Sequence, residues 1–579
     1  MVRQKNLFKD GETLSKIILE QLNVRNMRQT IERFNTLYRY TGHPDGEAAV
    51  DYLVERLRQY GVPTERLFYD AYLSLPLDAS VEVLSPSSHV IKVIADVYSG
   101  EASDLRGPLF YDRFSEKKNL SQKEEKARFT EFRGKFILTR SSGGSFAKKS
   151  ADAGALGVIH LWPSAEPLHH HGTTGAVWGS PVPADQDQFP YLPFVEMTKD
   201  DAESLLALLS EGKNVEISMN IKMDNGVRRT SMPVAAIQGG SEKYVLISGH
   251  YDSWYEGITD NAASDAIMLE FARIFWEHRK DLKRSVKIAW WSGHSDGRYA
   301  GSTWYCDSHW EDLDKNCVAH INIDLAGCKN ADQIRARTTL MEGRAFMDDL
   351  IREFTGRAAL PYIPMIRGAD QSFWGVGVPI AIMPKYEPLP ENCDFCCPSG
   401  GPWWHTDADT IDKLDERIMF RDASLNAKMA CLILNSDRLP VDIPGFAAEM
   451  EKFLSEINEA LGDEFVLDPV LKALADLKKE LPAFCEKTLS SEDSDEILKV
   501  VAGELVRLVY SVSSPYYQDR AVGALPFQGV RNACGVTRAN TDADVYVFIQ
   551  TDFMRQRNRL TGQLRRVIRD IQNYMSLQR

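Results

Sequence analysis

The chain has 579 residues, 44% hydrophobic and 26% charged, with a net charge of −14. At that length two to four domains are expected rather than one core. The acidic balance excludes the basic footprint of a nucleic-acid binder, no run reaches the roughly 18 apolar residues of a membrane span, and the start carries no apolar leader, so a cytoplasmic protein with neither nucleic-acid nor membrane partners is expected.

Residues 1 to about 75 read as helical, with Leu14, Ile17, Ile18 and Leu22 on one face, then Val50, Leu53, Leu57 and Tyr60 closed by Gly61. From about 80 to 230 the texture shifts to short strands and turns. There GKFILTR (134–140) predicts a strand, and SFAKKSADAGALGVIHLWP (145–163) a helix followed by a second buried strand. Between about 232 and 440, the runs YVLISG (244–249), SVKIAWW (285–291), CVAHINI (317–323) and VPIAIM (378–383) alternate with helical stretches, one from about Ser264 to His278. Continuous Val/Ile runs of this kind mark a mainly parallel sheet buried on both sides, which binds ligands at the carboxyl ends of its strands.

Cys393, Cys396 and Cys397 form a tight CDFCC cluster within this stretch. A soft-metal or redox role is open to it, but no second CxxC accompanies it, and a cysteine-containing loop is the plainer reading. The nine cysteines, an odd number scattered late in the chain, fit reduced thiols better than a disulfide framework. Past Pro440 the pattern is helical again, through Phe446 to Leu461, Leu471 to Leu481 and Ile497 to Val509. A last helix carries Leu560, Leu564, Ile568, Ile571 and Met575 amid arginines that read as a solvated face.

Five side chains carry the chemistry. His250, Asp260, Asp296, Asp324 and His405 each follow an apolar strand-like run, and together they have the residue types that hold two divalent metals. Singly, His250 is equally a core histidine and Asp260 a helix N-cap. Within GHYDSWYEGITDNAASDA (249–266), Asp252 can accept the second imidazole N–H of His250, and Asp260 has two oxygens able to bridge two metals.

The motifs GHYDSW, GSTWY (301–305), HINID (320–324) and WHTDADTID (404–412) resemble those of the co-catalytic zinc metallopeptidases, a family that includes aminopeptidases, glutamate carboxypeptidase and the transferrin receptor. The 79–231 segment resembles the protease-associated insert of the glutamate carboxypeptidase branch. The resemblance implies an α/β fold with a mainly parallel mixed sheet flanked by helices. It divides the chain into a metallopeptidase-like domain (1–78 and 232–440), the β-rich insert (79–231) and a helical, dimerisation-like domain (441–579), so a homodimer is expected. Carried over by position, it makes His250 and Asp324 ligands of one metal, Asp260 the bridge, Asp296 and His405 ligands of the other, and Asp252 the orienter of His250. Zinc is the implied metal, with manganese or cobalt also accepted by such ligands.

One loop departs from the family. Where its peptidases carry a Glu-Glu pair before Gly-Ser, this chain reads WSGHSDGRYAGS (291–302), which places Ser295 at the general-base position and Asp296 at the ligand position. Serine is no proton acceptor near neutral pH, and loss of a general base costs about 10²–10⁴-fold in rate. His294 is the preferred replacement because an imidazole titrates near pH 6.5; Asp296 or an unaided metal hydroxide are the other routes, and His294 as ligand or packing residue stays open. Trp404 stands where relatives often place a tyrosine. Arg298 and Arg367 are candidates to grip a substrate carboxylate, or else salt-bridge partners. His169, His170 and His171 read as an exposed loop of the insert. The expected activity is metal-dependent hydrolysis of an amide bond in a small peptide or N-acyl amino acid; the alternatives are an inactive binding scaffold, as the transferrin receptor is, or an enzyme retooled for a non-peptide substrate.

Overall fold

A computed structural model describes residues 7–389, 401–489, 494–520 and 526–577, so the Cys393, Cys396 and Cys397 cluster lies outside the described residues. The strands Cys317–Asn322, Tyr244–His250 and Ser285–Trp291 lie side by side and run parallel, with Ile380–Ile382 parallel beyond them. Almost every residue of the three is buried, as sheets covered on both faces require. The helices Ala263–Glu277 and Glu416–Leu434 supply much of that cover, each buried along most of its length.

The amino-terminal region departs from the helical reading in two ways. Three helices form, Lys9–Gln21, Val24–Phe34 and Pro44–Tyr60, and the last ends on Gly61 in the left-handed conformation. A 22-residue strand, Thr64–Ser85, then follows at once. Its alternation of Leu67, Tyr69, Ala71 and Leu73 on the buried side has the period of two that a strand needs. It pairs antiparallel with Glu216–Ile237 from Thr64 against Ala235 to Ser85 against Glu216.

This long ribbon leads out of the parallel sheet and back. Between its arms, Phe136–Thr139, Gly144–Asp152 and Gly157–Leu161 form a strand, a helix and a strand, with the two strands parallel. Their apolar residues, including Phe136, Leu138, Ile159 and Leu161, fill a core with Val81, Val195 and Ile217. The largest core instead runs from Leu14 to Leu73 and resumes at Met232. It also takes in the helices Ile443–Leu461, Asp468–Leu489, Ser494–Tyr510 and the 35-residue Ala543–Leu577, so the carboxy-terminal helices share the core of the parallel sheet. No helix among the described residues is long and apolar enough to cross a membrane.

Candidate metal centre

His250 is the last residue of its strand and is buried. Its Nδ1 donates to the main-chain carbonyl of Asp252 at 2.9 Å. A carbonyl only accepts, so this bond keeps the proton on Nδ1 and leaves Nε2 as the basic nitrogen. Nε2 lies 3.1 Å from Asp260 Oδ1 and 3.6 Å from Asp324 Oδ1. Burial alone would drive this imidazole neutral, but the two carboxylates outweigh it and hold it well above the usual histidine range. A spot that favours a proton in this way equally favours a metal cation.

Asp260 turns its other oxygen to the second imidazole, with Oδ2 3.3 Å from His405 Nε2. The turn that carries it leaves helical geometry at Asp260 and Asn261, just before the helix Ala263–Glu277. Asp409 pins that turn by accepting from the Thr259 hydroxyl at 2.8 Å and from the backbone N–H groups of Thr259 and Asp260. Asn261 ties the same turn to the Asp324 loop, donating to the Ile323 carbonyl and accepting from the Leu325 N–H. Buried Arg39 holds the preceding loop through the carbonyls of Tyr251, Glu256 and Gly257.

His405 arrives on a loop, in the left-handed conformation at φ 61. Its Nδ1 donates to the His171 carbonyl at 2.8 Å, and the His171 N–H returns a bond to the His405 carbonyl. His170 Nδ1 donates to the Trp404 carbonyl at 2.7 Å. The histidine triplet is therefore no exposed loop: His170 stacks on Trp162, His171 stacks on Trp254, and both are buried. Burial depresses their imidazoles to about 4 and about 3. Aromatic stacking against Trp162 and Trp254 explains the difference from the polar run.

His294 packs face to face on His250, with ring centroids 3.7 Å apart at 16°. Its Nδ1 donates to Asp370 Oδ2 at 2.8 Å. Burial opposes the charge on Asp370, yet His294 beside it outweighs this and holds the carboxyl below its ordinary value. His250, His294 and Asp324 each present a ligand-type atom, all within 4.8 Å of one another. Because the two imidazole planes are nearly parallel, their in-plane lone pairs run alongside each other rather than converging on one point.

Asp252 orients His250 by its carbonyl, not its carboxylate, whose nearest oxygen is 3.9 Å from Nδ1; the carboxylate accepts from the backbone N–H groups of His294 and Ser295. Ser295 is half-buried on that loop. Asp296 is buried but makes no ion pair with His405 among the described residues; it sits against Thr41, and burial followed by the nearby Asp252 charge pushes its carboxyl up to about 8. Trp404 stacks on His405 at 3.5 Å. The Arg298 guanidinium lies over the Tyr299 ring. Arg367 does not face outward to a substrate: its two Nη groups meet Gln518 and Asp519, and the guanidinium sits between Trp178 and Trp374. Asp370 and Asp409, which sequence reasoning missed, lie far along the chain from the residues they hold, and only the WHTDADTID motif drew the eye near one of them.

Residues 234–429 match peptidase family M28. This segment is an M28 peptidase domain. Aminopeptidase NAALADL1 of Mus musculus is 26% identical over 327 residues, covering 49% of this chain and 42% of the relative. The probable glutamate carboxypeptidase VP8 of Zea mays is 23% identical over 354 residues, covering 49% and 48%. The chain thus spans under half the length of these curated relatives. The solved aminopeptidase from Aneurinibacillus sp. strain AM-1 has the same fold, at a TM-score of 0.55 and 21% identity over 72% of this chain and 96% of that one.

The M28 fold implies a divalent metal, and the residues present fit one. His250 Nε2 and Asp324 Oδ1 are buried without hydrogen-bond partners, and an imidazole nitrogen with carboxylate oxygens is a donor set that zinc accepts. His250, Asp260 and Asp324 would hold a first cation. A second would have His405 and the far oxygen of Asp260, with Asp296 out of ion-pair contact.

Proposed function

We propose that the protein is a metal-dependent hydrolase that cleaves an amide bond of a small peptide or N-acyl amino acid. The observation that carries this reading is Asp260, whose two oxygens each face a different imidazole at 3.1 and 3.3 Å. A carboxylate so placed between the buried His250 and the half-buried His405 suits cation binding better than packing. Zinc is the metal the donor set favours. When bound, such a cation polarises the scissile carbonyl and makes water more acidic.

The chain's own residues supply the rest. His294 carries its proton on Nδ1, held there by Asp370, and so offers Nε2 to accept a proton from the attacking water and return it to the leaving nitrogen. That is the base-and-orienter pairing of acid–base catalysis, and it stands in for the carboxylate missing at Ser295. The parallel stacking of His294 on His250 supports the base role over ligation. Trp404, stacked on His405, offers an indole N–H that can donate to charge developing on the carbonyl oxygen. The carboxy-terminal helices, as in the family it resembles, would support a homodimer.

The test is metal stoichiometry by elemental analysis, paired with turnover of dipeptides and N-acetyl amino acids. Bound metal with amide hydrolysis is the expected result. Protein without metal after zinc loading would support the binding scaffold instead, and metal without amide turnover would favour a non-peptide substrate.

A further inference from the structure

Asp370 holds the proposed base, yet its own fixings are few. Its Oδ2 accepts from His294, while Oδ1 is buried without a hydrogen bond among the described residues. The anchor lies two residues on, at Ser372, whose backbone N–H donates to the Asp370 carbonyl at 3.0 Å. Three distant segments meet on Ser372. The Trp178 indole N–H donates to its hydroxyl at 2.8 Å, the Ser302 hydroxyl lies 2.9 Å from it, and Gln518 Nε2 donates to its carbonyl at 3.1 Å. Trp178, Ser302, Asp370 and Ser372 are all buried.

The indole gives this cluster a direction. An indole N–H only donates, so the Ser372 oxygen accepts from Trp178, and the Ser372 hydrogen turns to Ser302. The Ser302 hydrogen is then left for an acceptor beyond, with the Tyr299 carbonyl at 3.3 Å and the Asp370 carboxylate beside it. Burial raises the Asp370 carboxyl, and His294, His250 and the Ser302 hydroxyl together bring it below its ordinary value. Hydrogen bonds aligned in one direction polarise one another. Trp178 reaches the same base by its ring as well. It stacks on Tyr299 at 4.2 Å, and the Tyr299 ring meets His294 edge-on at 4.8 Å. Gly179, at φ 76, permits the close approach: its N–H donates to the Arg298 carbonyl at 2.6 Å, and a Cβ there would come within 2.6 Å of Thr303.

We propose that Trp178 is a positioning residue for the base, acting through Ser372 and Tyr299 to set the Asp370 carboxylate and the His294 imidazole in their working orientation. The orientation of the base thus depends on a segment 194 residues before Ser372 in sequence. The inference rests on the hydrolase reading for its kinetic arm alone.

The test compares the full-length wild type, Trp178→Phe, Ser372→Ala and the double variant, all zinc-loaded. Phenylalanine keeps an aromatic ring and removes the N–H. With 15N-labelled histidine, the His294 Nδ1–H resonance, identified by its loss in His294→Gln, should move in Trp178→Phe and in Ser372→Ala. On the dipeptides and N-acetyl amino acids, kcat of Trp178→Phe should fall by about 10-fold, the low end for outer-shell partners, with KM and zinc content unchanged. Because both residues act on one bond, the double variant should lose no more than Ser372→Ala alone. An unmoved His294 resonance or an unchanged kcat in a folded Trp178→Phe, or losses that simply multiply in the double variant, would overturn the proposal. Should Trp178→Phe fail to fold by thermal melting, an unmoved resonance in Ser372→Ala overturns it equally. Absence of amide turnover by the wild type would sink the hydrolase reading, and the resonance would still decide the place of Trp178.

Discussion

His250 and Asp324 reach the centre from the ends of adjacent parallel strands, whereas His405 comes on a loop clasped by His170 and His171. The first half needs only the parallel sheet; the second depends on two segments more than 200 residues apart in sequence. The difference teaches that one half of the candidate centre is built into the core and the other is assembled by docking of distant segments. Asp296 sharpens the contrast, because the residue expected to complete the docked half lies against Thr41 instead.

The largest effect should come from Asp260→Ala, which removes the carboxylate that faces both halves. Zinc affinity should fall by more than about 100-fold, exceeding the 10–100-fold typical of outer-shell losses, and calorimetric titration checks it. Retained stoichiometric zinc in that variant would break the comparison at its centre.

Next comes His294→Ala. It should lower kcat by about 10²–10⁴-fold, the contribution of a general base, while zinc content by elemental analysis stays at the wild-type value. Loss of the metal would make His294 a ligand instead. Asp370→Asn should cost less, about 10–100-fold in kcat, because the imidazole remains but its tautomer is no longer held.

The clasp should be acid-sensitive. His170 and His171 stay neutral in the fold down to about 4 and about 3, because burial disfavours their charge. In the unfolded chain histidines protonate below about 6.5. The unfolded state therefore binds more protons in the window from 6.5 to 4, and the stability present above 6.5 is lost as pH falls through it. The melting temperature should drop across that window, and substituting His170 by Gln should flatten the drop. A pH-independent melting temperature there would show that the clasp contributes nothing to folding.

The smallest effect is expected from Asp296→Ala, with zinc affinity changed by less than about 10-fold, below the outer-shell range. A larger loss measured by the same titration would return Asp296 to the centre and make the two halves alike.

Much of the parallel sheet was legible because each strand is a continuous apolar run, and such runs end where the sheet meets its ligands. His250 and Asp324 could be picked out for the same reason, since each follows such a run, whereas Asp260 and His405 were found through the motifs around them. Thr64–Ser85 was not legible, since its mixed polar and aromatic residues follow directly on a helix and its partner strand is some 150 residues away. Nor was the pairing of His294 with Asp370, which are 76 residues apart. The burial of His170 and His171 depends on Trp162 and Trp254, and stacking of that kind leaves no periodic trace.

The most direct test of one core-built cation site is anomalous diffraction at the zinc edge from crystals of the zinc-loaded protein. The account predicts a strong peak bonded to His250, Asp260 and Asp324, with any second peak at His405 weaker. A fully occupied peak at His405 and Asp296 with none at His250 would contradict it.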